Sequence, residues 1–294
     1  MRSAFPELLA RQGQPAAIAT LVDKTGSAPL PIGTAMVVWQ DGTVRGWISG
    51  GCVDADVVAV AERVLATGRS ELREYGPPSP FGVGLTCGGR LRVLVEPVYP
   101  ELLTAAAEVA SDRPVVLRVD LETGERGVSW STRAEGASLV GSAFVASFLP
   151  RPRLVVVSST AVTNPLVRLA SELGWRPVVV EHRPVFAAQV LGAEVVPRMS
   201  GVELDRRCAV AVLSHEPAVD VPAIMAAFSA GSAYVGAMGS AATHRDRVRR
   251  LREAGAGRAD LARLRSPIGL AGVGGRGPVE LAVAVAAELG SAGA

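Results

Sequence analysis

The sequence feature that most constrains the fold is an alternation of apolar and helical segments in the second half of the chain. Apolar, strand-like runs occupy residues 154–157, 177–180, 208–213 and 232–236, and a helical pattern that ends at a glycine occupies residues 165–174. Parallel strands need crossover connections long enough to hold a helix, so strands that alternate with helices indicate a parallel sheet. We therefore predict an α/β unit with a doubly wound parallel sheet in this half.

The turn after the first of these strands bears on nucleotide binding. Dinucleotide-binding folds carry the pattern Gly-x-Gly-x-x-Gly/Ala at this turn, but residues 158–163 read SSTAVT. The side chains of Ser158 and Thr160 would hinder the close approach of a pyrophosphate. Glu181 lies at about the right distance along the chain to contact a ribose. Because the glycines are missing, we predict that this half binds NAD or FAD poorly or not at all.

The chain divides at a proline-rich break, residues 149–152, which read LPRP. A length of 294 residues is enough for two domains, and we place them at residues 1–148 and 149–294. The net charge of +2 gives no general attraction for nucleic acid or membranes. No apolar run approaches the ~18 residues of a membrane span, and the N-terminus lacks the apolar core of a signal peptide. We expect a cytoplasmic protein with no nucleic-acid or membrane partner.

The first half predicts a mixed α/β domain. Residues 16–22, 35–39, 43–48 and 90–97 have the apolar patterns of strands, and an Asp-Gly hairpin turn joins the second to the third. A loop with two prolines and two glycines occupies residues 23–33. Its length favours a binding loop over a minimal connector, although a plain surface loop fits the same residues.

The first cysteine lies at a strand-to-helix turn. Ser49, Gly50 and Gly51 form the turn, and Cys52 opens a helical pattern that closes at Gly68. A helix N-terminus lowers the pKa of a thiol and leaves backbone N–H groups available to a phosphate. The alternative is a small buried cysteine that packs in a tight turn.

A second cysteine repeats this arrangement. Cys87 precedes Gly88 and Gly89, and a strand begins at Arg90. Two thiols beside paired glycines in one small domain indicate a shared cleft, where they could hold zinc, form a redox pair or bind a sulfur-rich cofactor. Zinc is disfavoured because there is no Cys-x-x-Cys and no histidine before His182. Three cysteines without regular spacing also argue against a disulfide framework.

Three strings carry a resemblance to a known family: GSAPLPIGTAM at residues 26–36, GWISGGCVDADV at 46–57 and GLTCGGRLRVLVEPV at 84–98. Their order and spacing resemble the N-terminal domain of the XdhC/CoxI family, which are accessory proteins of molybdenum hydroxylases. Leu30 departs from the basic residue that the family more often has there. The strings AYVGAMGSAATHRDRVRRLREAG and LRSPIGLAGVGGRGPVELAVAVAAEL resemble its C-terminal Rossmann-type domain. The expected fold is thus an XdhC-type mixed α/β domain followed by a Rossmann-like doubly wound sheet.

The resemblance also implies a function. Family members bind molybdenum cofactor, promote its sulfuration by a cysteine desulfurase and deliver it to an apo-hydroxylase of the xanthine dehydrogenase or carbon monoxide dehydrogenase type. We accordingly expect a cofactor-insertion chaperone rather than an enzyme, with no catalytic residue and no metal site of its own. The resemblance is also compatible with a homodimer. Thiolates suit a soft metal–sulfur centre, and glycine turns suit a phosphate. The implied cofactor-binding residues are Ser49, Gly50, Gly51, Cys52, Cys87, Gly88 and Gly89.

Three other functions stay open at this point. The second half could serve an NAD(P)- or flavin-dependent oxidoreductase, which the missing glycines disfavour. Cys52 could carry a persulfide in a sulfurtransferase. Finally, the chain could be a scaffold between hydroxylase and desulfurase, with cysteines that only pack.

Overall fold

The computed structural model describes residues 1–77, 84–85, 87–131, 134–273, 275 and 277–292. The chain divides into two compact units, Met1–Pro150 and Arg151–Ala294. The first unit contains α1 (Phe5–Ala10), β1 (Ala16–Thr25), β2 (Ala35–Trp39), β3 (Val44–Gly46), α2 (Asp54–Thr67), β4 (Glu71–Tyr75), β5 (Arg90–Pro97), α3 (Pro100–Ala110), β6 (Val115–Asp120), β7 (Arg126–Ser129), β8 (Gly136–Val140) and β9 (Ala143–Phe148).

Two antiparallel sheets organise the first unit. Within the described residues, the larger sheet has the order β3-β2-β1-β5-β4 and the smaller has the order β7-β6-β9-β8. On one face of the larger sheet, α2 buries Val57, Val60 and Val64 against strand residues such as Leu21 and Val93. The opposite face packs against α1, α3 and the smaller sheet in a second apolar core. The larger sheet is therefore covered on both faces, and its strand ends remain as the place where loops can meet.

The strand register places three connections at one edge of the larger sheet. β1 ends at Thr25, which pairs with Arg90 at the start of β5, and β4 ends at Tyr75, which pairs with Leu91. β3 ends at Gly46, which pairs with the second residue of β2. The connections that meet there, which we call the cysteine edge, are residues 26–34, residues 47–53 and the described part of residues 76–89.

Side-chain hydrogen bonds join helix α2 to β4 on the sheet face that the helix covers. The hydroxyl of Tyr75, at the end of β4, donates to Asp56 Oδ2 at 2.7 Å in the first turn of the helix. Arg63 bonds Glu71, at the start of β4, at 3.1 Å. The helix begins at Asp54, so the prediction that Cys52 itself opens the helix is wrong by two residues. Cys52 lies in the preceding turn.

The second unit contains β10 (Arg153–Val157), α4 (Thr163–Glu172), β11 (Arg176–Val180), α5 (Pro184–Ala187), β12 (Glu194–Val196), β13 (Ala209–Val212), α6 (Pro217–Ser229), β14 (Tyr234–Ala237), α7 (Ala241–Glu253), α8 (Arg258–Arg263), β15 (Leu264–Arg265) and α9 (Pro278–Ala292). Its strands pair in parallel in the order β12-β11-β10-β13-β14-β15. Helices α4 and α9 cover one face, and α6, α7 and α8 cover the other. The predicted doubly wound parallel sheet is confirmed.

Across the described ranges of both units, no helix combines the length and the apolar character that a membrane span requires.

Candidate functional site

The turn before α2 has a backbone that requires glycine. Gly50 has a φ of 77° and Gly51 has a φ of 116°, both in the left-handed region that side chains disfavour. An added Cβ would meet no atom within 4 Å at either position, so the backbone angle, rather than crowding, demands glycine. The turn leaves Cys52 exposed at the cysteine edge.

A buried carboxylate holds this turn together. Asp54 is only 6% exposed, and its oxygens accept hydrogen bonds from the backbone N–H groups of Ile48 at 2.6 Å, Ser49 at 3.3 Å and Gly51 at 2.6 Å. The hydroxyl of Ser49 also donates to Asp54 and accepts from the N–H of Val53 at 2.9 Å. Burial alone would raise the pKa of Asp54, but these hydrogen bonds outweigh burial and hold that pKa below its usual value.

These bonds correct one prediction from the sequence. We expected the backbone N–H groups of the turn to be free for a phosphate, but those of Ile48, Ser49 and Gly51 are occupied by Asp54. A fixed carboxylate beside the helix start also repels a second anion there. The turn is therefore better built to present a thiol than to bind a phosphate through its own amides.

The second cysteine turn packs against the loop that follows β1. Gly88 has a φ of 74°. A Cβ on Gly89 would lie 3.2 Å from Ala28 N and 3.3 Å from Thr25 O, closer than ordinary van der Waals contact. Lys24 Nζ donates to the carbonyl oxygen of Ala28 at 3.1 Å and to that of Leu30 at 2.8 Å, which shapes the loop. Cys87 is exposed, and Thr86, part of the TCGG string, lies outside the described residues.

The two turns share one apolar core. Val53, next to Cys52, and Leu85, two residues before Cys87, are both fully or almost fully buried and belong to the same cluster on the α2 face of the sheet. Ala28, from the loop between β1 and β2, joins them there. The structure thus brings both thiols to one edge of one sheet, with solvent access to each.

The implied site residues divide into two groups. Ser49 and Gly89 are buried and shape the backbone, whereas the other five are exposed at the cysteine edge. Those five are Gly50, Gly51, Cys52, Cys87 and Gly88.

Sequence reasoning missed several residues at this edge. Trp47 is 62% exposed immediately before the turn. Lys24 and Arg90 line a cavity at the ends of β1, β4 and β5. The anchoring role of Asp54 also went unrecognised, because an acidic residue in the first turn of a helix has a simpler explanation in the helix dipole. The one available signal was its position three residues after Gly51, where its side chain can reach back to turn amides.

The Rossmann-like unit has its own crevice at the carboxyl ends of its strands. A cavity of about 430 Å³ opens between β10, β11 and β13, and Ser158 lies at its wall. Ser158 has a φ of 79°, so a serine holds the left-handed conformation that glycine would normally supply. Such crevices are the usual ligand sites of doubly wound sheets.

Glu181 at the end of β11 is already occupied. Its carboxylate accepts hydrogen bonds from Ser159 N at 2.8 Å and from Arg183 Nε and an Arg183 terminal nitrogen, each at 2.8 Å. The Arg183 guanidinium is the main reason that the pKa of Glu181 falls to about 2. The carboxylate that would bind a ribose hydroxyl is thus tied to the chain itself, and poor dinucleotide binding stays a prediction.

Within the described residues, the acidic, histidine and cysteine side chains do not cluster as metal ligands do. In the part of the chain that the structure describes, no three of them group closely enough to hold a metal ion. All three cysteines fall within that part and carry thiols, and Cys208 is buried in the second unit.

Two family models match this chain. The model described as the XdhC and CoxI family matches residues 9–76, and the model described as the XdhC Rossmann domain matches residues 154–289. Between them they cover parts of both compact units. The first match contains the Cys52 turn.

Named relatives span nearly the whole chain. The molybdenum cofactor insertion chaperone PaoD of Escherichia coli is 29% identical over 92% of this chain and 80% of its own length. A Bacillus subtilis protein named as a probable xanthine dehydrogenase subunit is 26% identical over 96% of this chain and 94% of its own length. A crystal structure named as a xanthine dehydrogenase from Bacillus halodurans superposes with a TM-score of 0.83 at 24% identity, over 99% of this chain and 95% of that one. That superposition shows a shared fold.

Proposed function

Because the chain belongs to the XdhC and CoxI family, we propose that it binds molybdenum cofactor and delivers it to a hydroxylase of the xanthine dehydrogenase type. The observation that carries this proposal is the pair of exposed thiols, Cys52 and Cys87, on turns that leave one edge of one sheet. The name of the Escherichia coli relative, a molybdenum cofactor insertion chaperone, supports the same function. In this proposal the protein carries the cofactor as cargo and turns over no metabolite.

The residues of the cysteine edge fit such a cargo. Thiolates are the protein ligands that soft metal–sulfur centres prefer, and Cys52 and Cys87 are both accessible to a guest of that kind. The missing side chains at Gly50 and Gly51 leave open space beside Cys52, so a bulky ligand can approach the backbone. Asp54 keeps the turn in the conformation that presents the thiol.

We further propose that the same edge supports sulfuration of the cofactor. A cysteine desulfurase would then dock while the cofactor is held, and the apo-hydroxylase would dock afterwards. The proposed clients include enzymes of the carbon monoxide dehydrogenase type alongside those of the xanthine dehydrogenase type, and the acceptor is an apoenzyme in each case. We place this exchange in the cytoplasm, where thiols stay reduced. We propose a homodimer as the form of the protein that carries it out.

The exposure of Cys52 also favours a second candidate function. An accessible thiol at a turn before a helix can accept a sulfur atom from a desulfurase persulfide and carry it as a persulfide of its own. Incubation with a desulfurase and cysteine, followed by intact-mass spectrometry, distinguishes the two functions. A carrier gains the mass of one sulfur atom at Cys52, whereas a cofactor chaperone alone does not.

The proposed function is tested by what the protein carries. The full-length chain is purified under anaerobic conditions from a molybdate-replete host, and molybdenum and oxidised pterin are measured in it. We expect both in comparable molar amounts, and we expect the loaded protein to activate an apo-hydroxylase. Absence of pterin from protein made in a host that synthesises the cofactor would favour a scaffold that only bridges partner proteins.

A further inference from the structure

A largely apolar cavity lies between the sheet of the Rossmann-like unit and helix α6. Its volume is about 430 Å³, and it is lined by the ends of β10 and β11, by residues 197–199 after β12 and by the first two turns of α6. Val157 and Val180 line it from the sheet, and Val219 and Ala223 line it from the helix. All four belong to the apolar core on the α6 face or pack against it. Small-molecule sites are mostly apolar cavities of about 300–1,000 Å³, so this cavity has the size and the lining of a ligand site.

The hydroxyl groups that line the cavity are already bonded within the chain. Ser158 is 8% exposed, and its oxygen accepts a hydrogen bond from a terminal nitrogen of Arg183 at 3.0 Å. Ser214 is 5% exposed, and its oxygen accepts from the backbone N–H of Glu216 at 2.9 Å. Because neither hydroxyl depends on a ligand for a partner, the inner part of the cavity suits the apolar body of a ligand.

Charged side chains line the cavity as well. Glu216 Oε1 lies 3.6 Å from a terminal nitrogen of Arg183, so this acid has a counterion. The imidazole of His182 lines the same cavity and adds no negative charge. Arg198 follows β12 and is exposed, and in the described part of the chain its guanidinium makes no hydrogen bond and no ion pair. A guanidinium without a counterion is a strong donor to the oxygens of an acid group.

The loop after β10, beside the cavity, uses its own backbone donors. The N–H of Ser159 bonds Glu181 at 2.8 Å. The N–H groups of Thr160 and Val162 bond threonine hydroxyls within the loop, at 2.9 and 3.2 Å. A dinucleotide needs donors at this loop for its pyrophosphate, so a ligand that fits the cavity is smaller than a dinucleotide and stays on the α6 side.

We propose that this cavity binds a small organic acid that has an apolar body and one acid group. The acid group pairs with Arg198, and the apolar body packs against the valines of the sheet and of α6. The site goes beyond the proposed function, because it lies wholly in the second unit and uses neither Cys52 nor Cys87.

Two fluorescent probes that differ in their acid group test this site. Anilinonaphthalene sulfonate carries a sulfonate, and N-phenylnaphthylamine has the same ring system without it. Each probe is titrated into the full-length chain at low salt. We expect Arg198→Gln to weaken binding of the sulfonate about tenfold, because a charge-assisted bond is lost, and to leave binding of the neutral probe unchanged. The matched control is Arg168→Gln, an exposed arginine on α4, which covers the opposite face of the sheet, and it should change neither affinity.

A second variant separates this cavity from other apolar surfaces. Val219→Phe fills part of the cavity, and we expect it to weaken binding of both probes about tenfold. Failure of the wild type to bind either probe, an unchanged sulfonate affinity in Arg198→Gln, or unchanged binding of both probes in folded Val219→Phe overturns the proposal. Displacement of the bound sulfonate by micromolar NAD also overturns it, because the cavity would then belong to a dinucleotide site. Thermal unfolding checks that each variant is folded, and if Val219→Phe is not, the exposed Arg198→Gln and its control decide the outcome.

Discussion

The carboxylate of Asp54 fixes the shape of the turn that presents Cys52. It satisfies backbone N–H groups of Ile48, Ser49 and Gly51 that would otherwise be left without partners. A buried donor without a partner costs free energy, so the conformation of the turn depends on this one side chain. The thiol is exposed, but the residue that positions it is buried.

Replacing Asp54 with alanine tests this dependence. We expect Asp54→Ala to lower the free energy of unfolding by about 2 kcal/mol, because several hydrogen bonds to a charged group are lost together. The backbone amide of Gly51 should also exchange faster with deuterium. The matched control is Glu62→Ala, an exposed acidic residue on the same helix, which should change stability little. Equal effects of the two substitutions would contradict the anchoring role.

Glu181 predicts a specific dependence of stability on pH. Its pKa is about 2 in the folded protein, below its usual value of 4.5, mainly because of Arg183. A carboxyl whose pKa is lower in the folded state stabilises the fold at neutral pH, and that stabilisation is lost as pH falls from about 5 towards 2. Chemical denaturation across this range should show a weaker pH dependence for Glu181→Gln than for the wild type. An identical dependence in the two proteins would refute this role of Glu181.

Helix α2 and strand β4 are joined by side chains as well as by the core. The bond from Tyr75 to Asp56 lies at the cysteine edge, and the bond from Arg63 to Glu71 lies at the other end. Because the first of these ties the start of α2 to the end of β4, it sets the position of the Cys52 turn relative to the connection that carries Cys87.

A double-mutant cycle measures this link. Tyr75→Phe and Asp56→Ala each remove one partner, and we expect a coupling energy of about 1 kcal/mol between them. Tyr75→Phe keeps the buried ring, so its effect reports the hydroxyl alone. Additive effects of the two substitutions on the free energy of unfolding would show that the bond contributes nothing to the position of α2.

The loop between β10 and α4 is the basis of the prediction that dinucleotides bind poorly or not at all. Ser158 and Thr160 stand where glycines would admit a pyrophosphate, and Glu181 is bonded to Ser159 and Arg183. Calorimetric titration with NAD, NADP and FAD should show no saturable binding in the micromolar range. Micromolar binding of any of the three would show that the crevice opens and would bring the oxidoreductase alternative back.

The elements were largely predictable from the sequence, whereas the contacts between them were not. Strands with an apolar face, such as residues 90–97, follow from period-two patterns, and the parallel sheet follows from its alternation with helices. The bonds from Asp54 to the turn amides depend on how its side chain folds back, and its place three residues after Gly51 was the one sequence signal for them. The cavity beside Arg90 depends on the register of β1, β4 and β5, and strand register over such sequence distances is set by packing.

At the scale of the whole molecule, the proposed function requires that two thiols 35 positions apart in the sequence bind the same cofactor molecule. The larger sheet makes this possible because the turns of Cys52 and Cys87 leave it at the same edge. Two thiols that bind one cofactor together do not contribute independently. Removing either thiol should therefore lower cofactor binding almost as much as removing both.

The most direct test measures molybdenum and pterin in protein purified anaerobically from a molybdate-replete host. The wild type is compared with Cys52→Ala, with Cys87→Ala, with the double variant and with Cys208→Ala, which removes the buried thiol of the second unit as a control. We predict that each single variant at the cysteine edge loses nearly as much of both components as the double variant, while Cys208→Ala retains them. Full molybdenum and pterin content in the Cys52 and Cys87 variants would contradict the account.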